Sequence, residues 1–343
     1  MEITTIGLDL AKNVFHVVCC NQAGKVLKKK KLTRNKVLPY FAQLPPCLVG
    51  LEACGSAHYW GRELEKLGHT AKLLPPQKVK PYVHGQKNDY NDAAGIAEAV
   101  TRETIRPVSI KTIEQQDLQS LQRMRSACVK ERTALSNQLR GLLGEYGIVI
   151  NQGLSQVRAR VPEILEDAEN DLSPQMRRWI LRGYRQLLKL DNEVVFYTRE
   201  LEVISRQHEA CQRLQALPGF GPIVAVAFVS HVGDGLAFKR GREASASIGL
   251  VPRQHSSGDK AKLFGITKKG NAVLRSLLIH GARSVVRHAE GKNDSLSLWI
   301  NRIRAERGKN KAAVALANKL SRMGWAMIVN KTEYQPESVS FSN

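Results

Sequence analysis

Hydrophobic and polar positions change their spacing repeatedly along residues 3–102, and this pattern predicts a mixed α/β domain. Short apolar runs of strand length alternate with stretches in which apolar residues recur every three to four positions. The predicted strands are 3–8, 14–20, 25–33, 47–53 and 71–74. The predicted helices are 36–43, 57–67 and 89–102, with a loop at 76–87. The first three strands would form a β-meander.

A seven-residue apolar repeat predicts two long helices in the middle of the chain, over 112–147 and 176–214. The repeating residues are Leu121, Cys128, Leu135 and Leu142 in the first helix and Ile180, Leu187, Val194 and Leu201 in the second. Arg125 and Arg132 interrupt the neighbouring row of Leu118 and Leu139. The pair is predicted to be an antiparallel helical hairpin or an intermolecular coiled coil, broken between 144 and 162, that serves as a spacer or oligomerisation region.

From residue 214 onward the pattern is mainly helical, and two glycines mark its first turn. Gly219 and Gly221 stand two apart between apolar helices, as in a helix-hairpin-helix turn whose N–H groups bind phosphate. An ordinary Pro-Gly helix break explains the same spacing equally well. The predicted organisation is an α/β domain at 1–108, a helical region at 109–213, a mainly α domain at 214–330 and a tail at 331–343.

The balance of charge indicates a polyanionic partner. The 343 residues include 52 Lys and Arg against 31 Asp and Glu, which gives a net charge of +21. Nucleic acid is the expected partner, because no apolar run approaches the roughly 20 residues that span a bilayer. The first residues do not form a signal peptide. The six cysteines lack metal-ligand spacing and are expected to be free thiols in a reducing cytoplasm.

Four carboxylates stand at the ends of predicted elements. Asp9 ends the first strand, Glu52 ends the fourth, and Asp89 and Asp92 lie three residues apart at the start of a helix. Strand ends and helix termini commonly form the site of an α/β sheet. Clustered carboxylates repel one another unless they share protons or bind divalent cations, and hard oxygen ligands select Mg²⁺ or Mn²⁺. Turn chemistry at Asp9 and capping at Asp89 explain single residues, whereas the joint pattern favours a metal site.

These acidic segments resemble the D, E and DxxD motifs of the DEDD insertion-sequence transposases, the IS one-ten family with its IS eleven-eleven-like group. The matching segments are GLDLAK at 7–12, LEA at 51–53 and KNDYNDA at 87–93. In that family the N-terminal domain is similar to the RuvC Holliday-junction resolvase and has an RNase H-like sheet. The resemblance implies that Asp9, Glu52, Asp89 and Asp92 hold Mg²⁺, with Mn²⁺ as the alternative, at the scissile phosphate.

A second motif lies in the segment GLVPRQHSSG at 249–258. By its residues alone this is an ordinary Ser-Ser-Gly loop, although Arg253 or Lys260 could neutralise a phosphate and His255 could deprotonate a hydroxyl. The family carries Gly-Leu-x-Pro-Arg and then a Ser-Gly whose serine bonds covalently to DNA. The resemblance therefore implies that Ser257 is the nucleophile, with Ser256 as the alternative if the alignment shifts by one. The residues after Gly258 depart from the family pattern, which often has small polar residues there.

Basic residues are densest after residue 238 and surround this motif. Together with the turn glycines they predict a surface that binds nucleic acid chiefly through its phosphates. The residues assigned to it are Gly219, Gly221, Arg253, Lys260, Lys262, Lys268, Lys269 and Arg275.

The resemblance extends from about residue 6 to 326 and implies a transposase or recombinase that moves its own insertion sequence. Its implied partners are double-stranded DNA and a structured guide RNA from the noncoding end of the element. It also implies a homo-oligomer, a dimer or tetramer, in which acidic and serine domains of different protomers meet. The expected location is the cytoplasm of a prokaryote, in association with the nucleoid and not with a membrane.

Two other functions are compatible with the sequence. One is a metal-dependent Holliday-junction-type endonuclease in which water attacks the phosphate and the C-terminal half only binds DNA. The other is a non-enzymatic nucleic-acid-binding protein with a decayed acidic site. Strand breakage by the purified protein and a covalent adduct at Ser257 distinguish the three.

Overall fold

The computed structural model describes residues 2–86, 88–257 and 260–336, and at 257, 260 and 261 it describes the backbone alone. The chain divides into two compact units, residues 1–113 and 114–343. The finer division of the second unit at residue 213 stays a prediction.

The first unit contains a five-stranded sheet. Its strands are β1 (Thr5–Asp9), β2 (Val14–Cys20), β3 (Val26–Thr33), β4 (Leu48–Glu52) and β5 (Thr70–Leu74). They lie in the order β3-β2-β1-β4-β5, in which the first three strands are antiparallel and β1, β4 and β5 run parallel. The predicted meander and the later strands are confirmed. This mixed sheet is consistent with an RNase H-like domain.

Helices lie against both faces of the sheet because its strands are apolar on both sides. The helices of this unit are α1 (Val37–Phe41), α2 (Ala57–Lys66), α3 (Pro76–Val79) and α4 (Asp89–Ala99). One face forms a core with α1 and α2 that includes Leu8, Phe15 and Trp60. The other face packs against α4, where Val18 and Ala97 are buried together.

The composition of the segment 76–87 predicted a loop, but part of this segment is helical. Pro76 begins α3, and a 3₁₀ turn follows at Lys80–Tyr82. Proline suits the first position of a helix, where its missing N–H would have no partner. Val79 is fully buried, and Tyr82 and Val83 pack against the same core cluster, so three apolar residues anchor this Pro- and Lys-rich segment.

Gly7 on β1 lets α4 approach the sheet at backbone distance. A Cβ at this position would lie 1.9 Å from the carbonyl oxygen of Ala93 and 2.6 Å from the nitrogen of Ala97. Gly50 on the neighbouring strand plays a similar part, because a Cβ there would lie 2.8 Å from Val100. The two glycines therefore set the height of α4 above the sheet.

Replacing Gly7 by alanine is expected to destabilise the first unit by about 3 kcal/mol, because the added methyl group meets backbone that cannot move aside. Denaturant unfolding of the full chain followed by circular dichroism measures the loss. Gly55→Ala is the matched control, since a Cβ at Gly55 has nothing within 4 Å. Equal stability of the two variants would show that α4 does not depend on this close approach.

The second unit begins with a long helical hairpin formed by α5 (Ile113–Gly144), α6 (Leu154–Glu166) and α7 (Pro174–Gln207). Contacts between α5 and α7 fall in antiparallel order. Arg125 bonds to Thr198 at 2.8 Å and Arg132 to Asp191 at 3.1 Å. A Cβ on Gly183 would lie 2.8 Å from Leu139. The partner number falls by seven or eight each time the residue number on α5 rises by seven.

The buried row of α5 differs from the predicted one. The buried residues of this helix are Leu118, Gln122, Ser136, Leu139 and Leu143. Leu142, a member of the predicted row, is 40% exposed. The row that contains Arg125 and Arg132 faces α7, because α7 supplies a partner for each of the two guanidinium groups. Arg158 of α6 forms a further ion pair with Asp191 at 2.6 Å. Pro162 lies inside α6, so the predicted break between 144 and 162 is shorter than expected.

The remaining elements enclose a helical core. They are α8 (Glu209–Gln215), α9 (Pro222–Val232), α10 (Gly241–Ile248), β6 (Pro252–Ser257), β7 (Lys260–Ile266), α11 (Ala272–Arg287), α12 (Ser295–Arg307) and α13 (Lys309–Asn330). The central helix is α9, which is buried along most of its length, and α11 and α13 pack in the same cluster.

Among the described residues no helix combines the length and apolarity needed to cross a bilayer. The strands β6 and β7 form a hairpin where the sequence predicted a loop.

Candidate catalytic site and nucleic-acid interface

The sheet register places four ionisable side chains in one row across four strands. Asp9 of β1 pairs with His16 of β2, which in turn pairs with Lys31 of β3. On the other side Leu8 pairs with Leu51, so that Asp9 and Glu52 follow at the carboxyl ends of two parallel strands. Residues opposite one another in a sheet project from the same face. Asp9 and Glu52 are therefore neighbours, as their positions in the sequence predicted.

The helix α4 brings two further carboxylates to this face. The side chain of Asn88 caps the helix by accepting the Tyr90 N–H at 2.9 Å. Asp89 and Asp92 follow in the first turn, where the helix dipole favours negative charge. Gly7 brings α4 close to β1 at Ala93, next to the first turn of the helix. The charges of Asp89 and Asp92 act on Asp9 at the end of β1, and that of Asp92 also acts on Glu52 at the end of β4.

The carboxylates affect one another electrostatically. Burial, followed by the charges of Asp92, Asp89 and Glu52, raises the pKa of Asp9 to about 6. Burial and the charge of Asp92 raise the pKa of Glu52. All four predicted acidic residues therefore belong to one cluster. The cluster carries an electrostatic penalty when every member is ionised.

His16 is a member of this cluster that the sequence analysis missed. Its Nδ1 lies 3.3 Å from Oδ2 of Asp89, and its side chain is only 11% exposed. The ring packs edge-on against Tyr90 with centroids 4.7 Å apart. The signal was present in the sequence, because the short turn after Asp9 joins two antiparallel strands and places the third residue of β2 opposite Asp9.

The acidic cluster fits a divalent cation. One ligand atom each of Asp9, His16 and Asp89 lies within 4.8 Å of the others. Burial and then the neighbouring charges raise the pKa of Asp9, and a cation would offset both effects. Carboxylate oxygens are the ligands that Mg²⁺ and Mn²⁺ accept. Because the donors are oxygens with one imidazole, the set suits these ions better than a thiolate-bound metal.

In the second unit the serine motif lies on the β6–β7 hairpin. Ser257 ends β6, and its backbone pairs with Lys260 of β7. The side chains of Ser257 and Lys260 lie outside the described part of the chain, so their predicted roles stay predictions. Ser256 is exposed, and its hydroxyl accepts a hydrogen bond from the Gln254 amide at 2.8 Å.

The base of this hairpin borders an open cleft of about 1680 Å³. Nine cationic side chains line it, and none of the described lining residues is acidic. The cations are Arg240, Arg242, Arg253, Lys268, Arg302, Arg307, Lys311, Lys319 and Arg322. Three aromatic rings, those of Phe264, Trp299 and Trp325, also line the cleft, and the Lys319 ammonium lies 5.2 Å above the Trp299 ring.

The structure assigns different environments to the predicted nucleic-acid-binding residues. Arg253 and Lys268 line the cleft. Lys262 and Lys269 are exposed, and Lys262 lies 5.5 Å from the Phe264 ring centroid. Arg275 is half-buried and donates to the Ile248 carbonyl at 2.8 Å, so it also closes the end of α10.

The turn glycines have distinct settings. Gly219 has φ of +84° and abuts Gly281 of α11, because a Cβ on Gly219 would lie 2.9 Å from that backbone. Gly221 caps the N-terminus of α9, and a Cβ there would meet nothing within 4 Å. Close packing thus explains the first glycine, while phosphate binding at this turn stays a prediction.

The cationic residues of α12 and α13 were not predicted to belong to the interface. On α13, Lys311, Lys319 and Arg322 follow one another at intervals that keep them near one helical face, and this spacing could have revealed them. The density of charge around the serine motif does not reveal these residues, because they follow the motif by about 50 residues or more.

Comparisons with known proteins find similar transposases along most of the chain. Residues 6–148 match the sequence profile of the DEDD transposases of IS110 type, and residues 211–296 match that of the transposase IS116/IS110/IS902 family. The transposase for insertion sequence element IS1111A of Coxiella burnetii is 43% identical over 97% of this chain and 92% of its own length. A probable family 20 transposase of Pseudomonas aeruginosa is 44% identical over 98% of this chain and 100% of its own length. The transposase for insertion sequence element IS1328 of Yersinia enterocolitica is 37% identical over 97% of this chain and 99% of its own length.

The α/β domain with its acidic cluster, taken with these relatives, defines an enzyme that acts on DNA. The chain belongs to the IS110 family of insertion-sequence transposases. The family resemblance noted from the motifs is thereby confirmed.

Proposed function

We propose that the protein transposes its own insertion sequence by metal-dependent cleavage and exchange of DNA strands through a serine–DNA intermediate. The observation that supports this most directly is the convergence of Asp9, Glu52, Asp89 and Asp92, whose charges act on one another across β1, β4 and α4. The alternative interpretations of these residues as separate turn and capping residues do not account for their mutual interaction.

The four carboxylates would hold Mg²⁺ or Mn²⁺ at the scissile phosphate. A bound ion of this kind stabilises the entering and leaving oxygens of phosphoryl transfer. Asp9 and Glu52 are fixed by the sheet, whereas Asp89 and Asp92 are carried by α4, so the site combines ligands from a rigid strand pair with ligands from one helix terminus.

The covalent step is assigned to Ser257. Its hydroxyl oxygen, after loss of its proton to a base, would bond to phosphorus while one P–O bond of the DNA backbone breaks and frees a DNA hydroxyl. A DNA hydroxyl from the partner strand would later attack the same phosphorus and release the serine. Each step exchanges one P–O bond for another, so the energy of the phosphodiester is conserved for strand joining.

The cleft at the base of the β6–β7 hairpin is the proposed surface for nucleic acid. Arg253 at its edge and Ser257 at the hairpin end are four strand residues apart, which corresponds to about 13 Å. Phosphates bound along the cleft would thus lie within a few nucleotides of the serine.

The proposed partners are double-stranded DNA of the element ends and target, together with a guide RNA encoded by the element. We include a homo-oligomer, a dimer or tetramer, and association with the nucleoid in this proposal.

Reversing two charges in the cleft is expected to weaken DNA binding. The double variant Arg307→Glu and Lys311→Glu should raise the Kd for a short duplex roughly 10- to 100-fold at low salt. It should also reduce the slope of log K against log salt by about 2, because two phosphate contacts are lost. Fluorescence anisotropy over a salt series measures both quantities.

The control for this prediction is Arg178→Glu with Arg182→Glu. Both arginines are exposed on α7 and lie outside the cleft, and the change in net charge is identical. If the control lowered affinity and the salt slope as much as the cleft variant, only the total charge would matter and the cleft would not be the interface.

The proposed function is tested with purified full-length protein, Mg²⁺ and DNA that carries the element ends, with and without the element RNA. Cleavage accompanied by a protein–DNA adduct that survives denaturation supports the transposase mechanism. Cleavage that leaves no adduct under any condition would favour the junction-type endonuclease in which water attacks. Complete absence of strand breakage alongside tight DNA binding would favour the non-enzymatic interpretation.

A further inference from the structure

The imidazole of His16 stands among carboxylates that otherwise offer only oxygen ligands. We propose that Asp9, His16 and Asp89 form one metal subsite with a nitrogen ligand, which binds Mn²⁺ in preference to Mg²⁺. The proposal rests on the metal-dependent function proposed above. It adds the ligand set and the ion that this part of the acidic cluster selects.

The separations of the ligand atoms fit coordination to one ion. Nδ1 of His16 lies 3.3 Å from Oδ2 of Asp89. Two ligands at right angles on an ion with bonds of about 2.1 Å are about 3.0 Å apart, and two ligands on opposite sides are about 4.2 Å apart. All three ligand atoms lie within 4.8 Å of one another, so shifts of a few tenths of an ångström bring them into contact with a single ion.

The fold holds His16 in place for this role. Its position on β2 is fixed by pairing with Asp9 on one side and Lys31 on the other. The side chain is 11% exposed, and the edge-on contact with Tyr90 restricts rotation of the ring. Asp89 itself is 65% exposed, so an ion at this point would remain open on one side to a substrate phosphate.

The ligand chemistry predicts the preference. Mg²⁺ prefers oxygen ligands and retains coordinated water instead of binding a nitrogen ligand. Mn²⁺ is the first member of the transition-metal series whose affinity for nitrogen-containing sites increases along the series. A site with two carboxylates and one imidazole should therefore bind Mn²⁺ at least about tenfold more tightly than Mg²⁺. Substituting the imidazole by oxygen ligands should remove that preference without removing the site.

The test compares Mn²⁺ and Mg²⁺ binding by calorimetry in the full chain, with His16→Asn and His16→Asp as variants. His16→Asn should weaken Mn²⁺ binding roughly 10- to 100-fold and Mg²⁺ binding by less than about threefold. His16→Asp should retain Mg²⁺ binding and lower the ratio of Mn²⁺ to Mg²⁺ affinity toward one. His84→Asn is the control, because His84 is exposed in the same unit and lies 4.0 Å from Glu98.

A spectroscopic measurement provides a second readout that does not depend on affinity. Pulsed electron paramagnetic resonance of the Mn²⁺-loaded protein should show coupling to an imidazole nitrogen in the parent and in His84→Asn, and none in His16→Asn or His16→Asp. Circular dichroism establishes that the variants fold.

Two results would overturn the proposal. One is equal weakening of Mn²⁺ and Mg²⁺ binding by His16→Asn, which would make His16 a support for Asp89 and not a ligand. The other is nitrogen coupling that persists in both His16 variants. Metal-dependent cleavage that survives either result leaves the proposed function standing, whereas failure of the parent to cleave with either ion would reject the function itself.

Discussion

Replacing Asp9 by asparagine is expected to reduce metal-dependent strand cleavage by about 10³-fold while making the metal-free protein more stable at neutral pH. Cleavage is lost because Asp9 belongs to the acidic cluster and interacts with Asp92, Asp89 and Glu52. Stability rises because burial, and after it the charges of the same neighbours, oppose ionisation of Asp9 in the folded state. Removal of its charge relieves that repulsion.

The pH dependence has a definite sign. The pKa of Asp9 is raised from 3.8 to about 6, so the folded chain binds this proton more strongly than the unfolded chain does. Its contribution to stability is full below pH 4 and is lost as pH rises through about 6. After allowance for solvent screening, Asp9→Asn should gain about 1–2 kcal/mol over the parent at pH 7.5. The two proteins should converge near pH 4.

Cleavage assays and thermal unfolding between pH 4 and 8, both with and without Mg²⁺, measure this trade-off. Glu103→Gln is the control, since it neutralises an exposed carboxylate in the same unit. An Asp9→Asn variant that cleaves at the parent rate would exclude Asp9 as a metal ligand. An Asp9→Asn variant that is inactive in cleavage and also less stable than the parent would show that Asp9 has structural partners beyond the acidic cluster.

Replacing Ser257 by alanine is expected to abolish the covalent protein–DNA adduct and to reduce recombination below detection, at least about 10³-fold. The side chain loses the oxygen that would bond to phosphorus, and the acidic cluster has no comparable nucleophile to substitute for it. DNA affinity should stay within about twofold of the parent, because the nine cations of the cleft remain. Denaturing electrophoresis of labelled DNA detects the adduct.

Ser256→Ala distinguishes the two serines. The Ser256 hydroxyl is held by Gln254 at 2.8 Å, and its loss should change adduct formation by less than about tenfold. If Ser256→Ala removed the adduct and Ser257→Ala did not, the nucleophile would be Ser256. If both variants retained it, the covalent step would have to be assigned elsewhere and the water-based endonuclease would gain support.

Local signals in the sequence were sufficient for much of the fold. Strands β1 to β5 are marked by short apolar runs, and the apolar runs ending in Asp9 and Glu52 predicted carboxylates at adjacent strand ends. The segment GLDLAK at 7–12 begins with a glycine, and the structure shows α4 in contact with the sheet at that residue. These features depend on residues close together in the chain or on the regular geometry of a parallel strand pair.

The features that escaped prediction depend on partners distant in sequence. The inner row of α5 contains Arg132, which only the presence of Asp191 on α7 makes favourable inside a hairpin. His16 gained meaning from its pairing with Asp9 and from the arrival of Asp89 on α4. The cleft combines cations from α10, β6, α12 and α13, whose proximity follows from helix packing and not from their order. The role of Ser257 rests on the family resemblance, and that of Lys260 on the density of basic residues around the serine motif.

The antiparallel pairing of α5 with α7 also constrains how this region can change in length. Each residue of a helix turns the chain by about 100°, so one deletion within α5 rotates every later side chain away from its partner on α7. The contacts of Arg132 with Asp191 and of Leu139 with Gly183 could then not both persist. Matched changes of seven residues in both helices would restore them. Insertions and deletions in α5 are therefore tolerated only in steps of seven residues and only together with an equal change in α7.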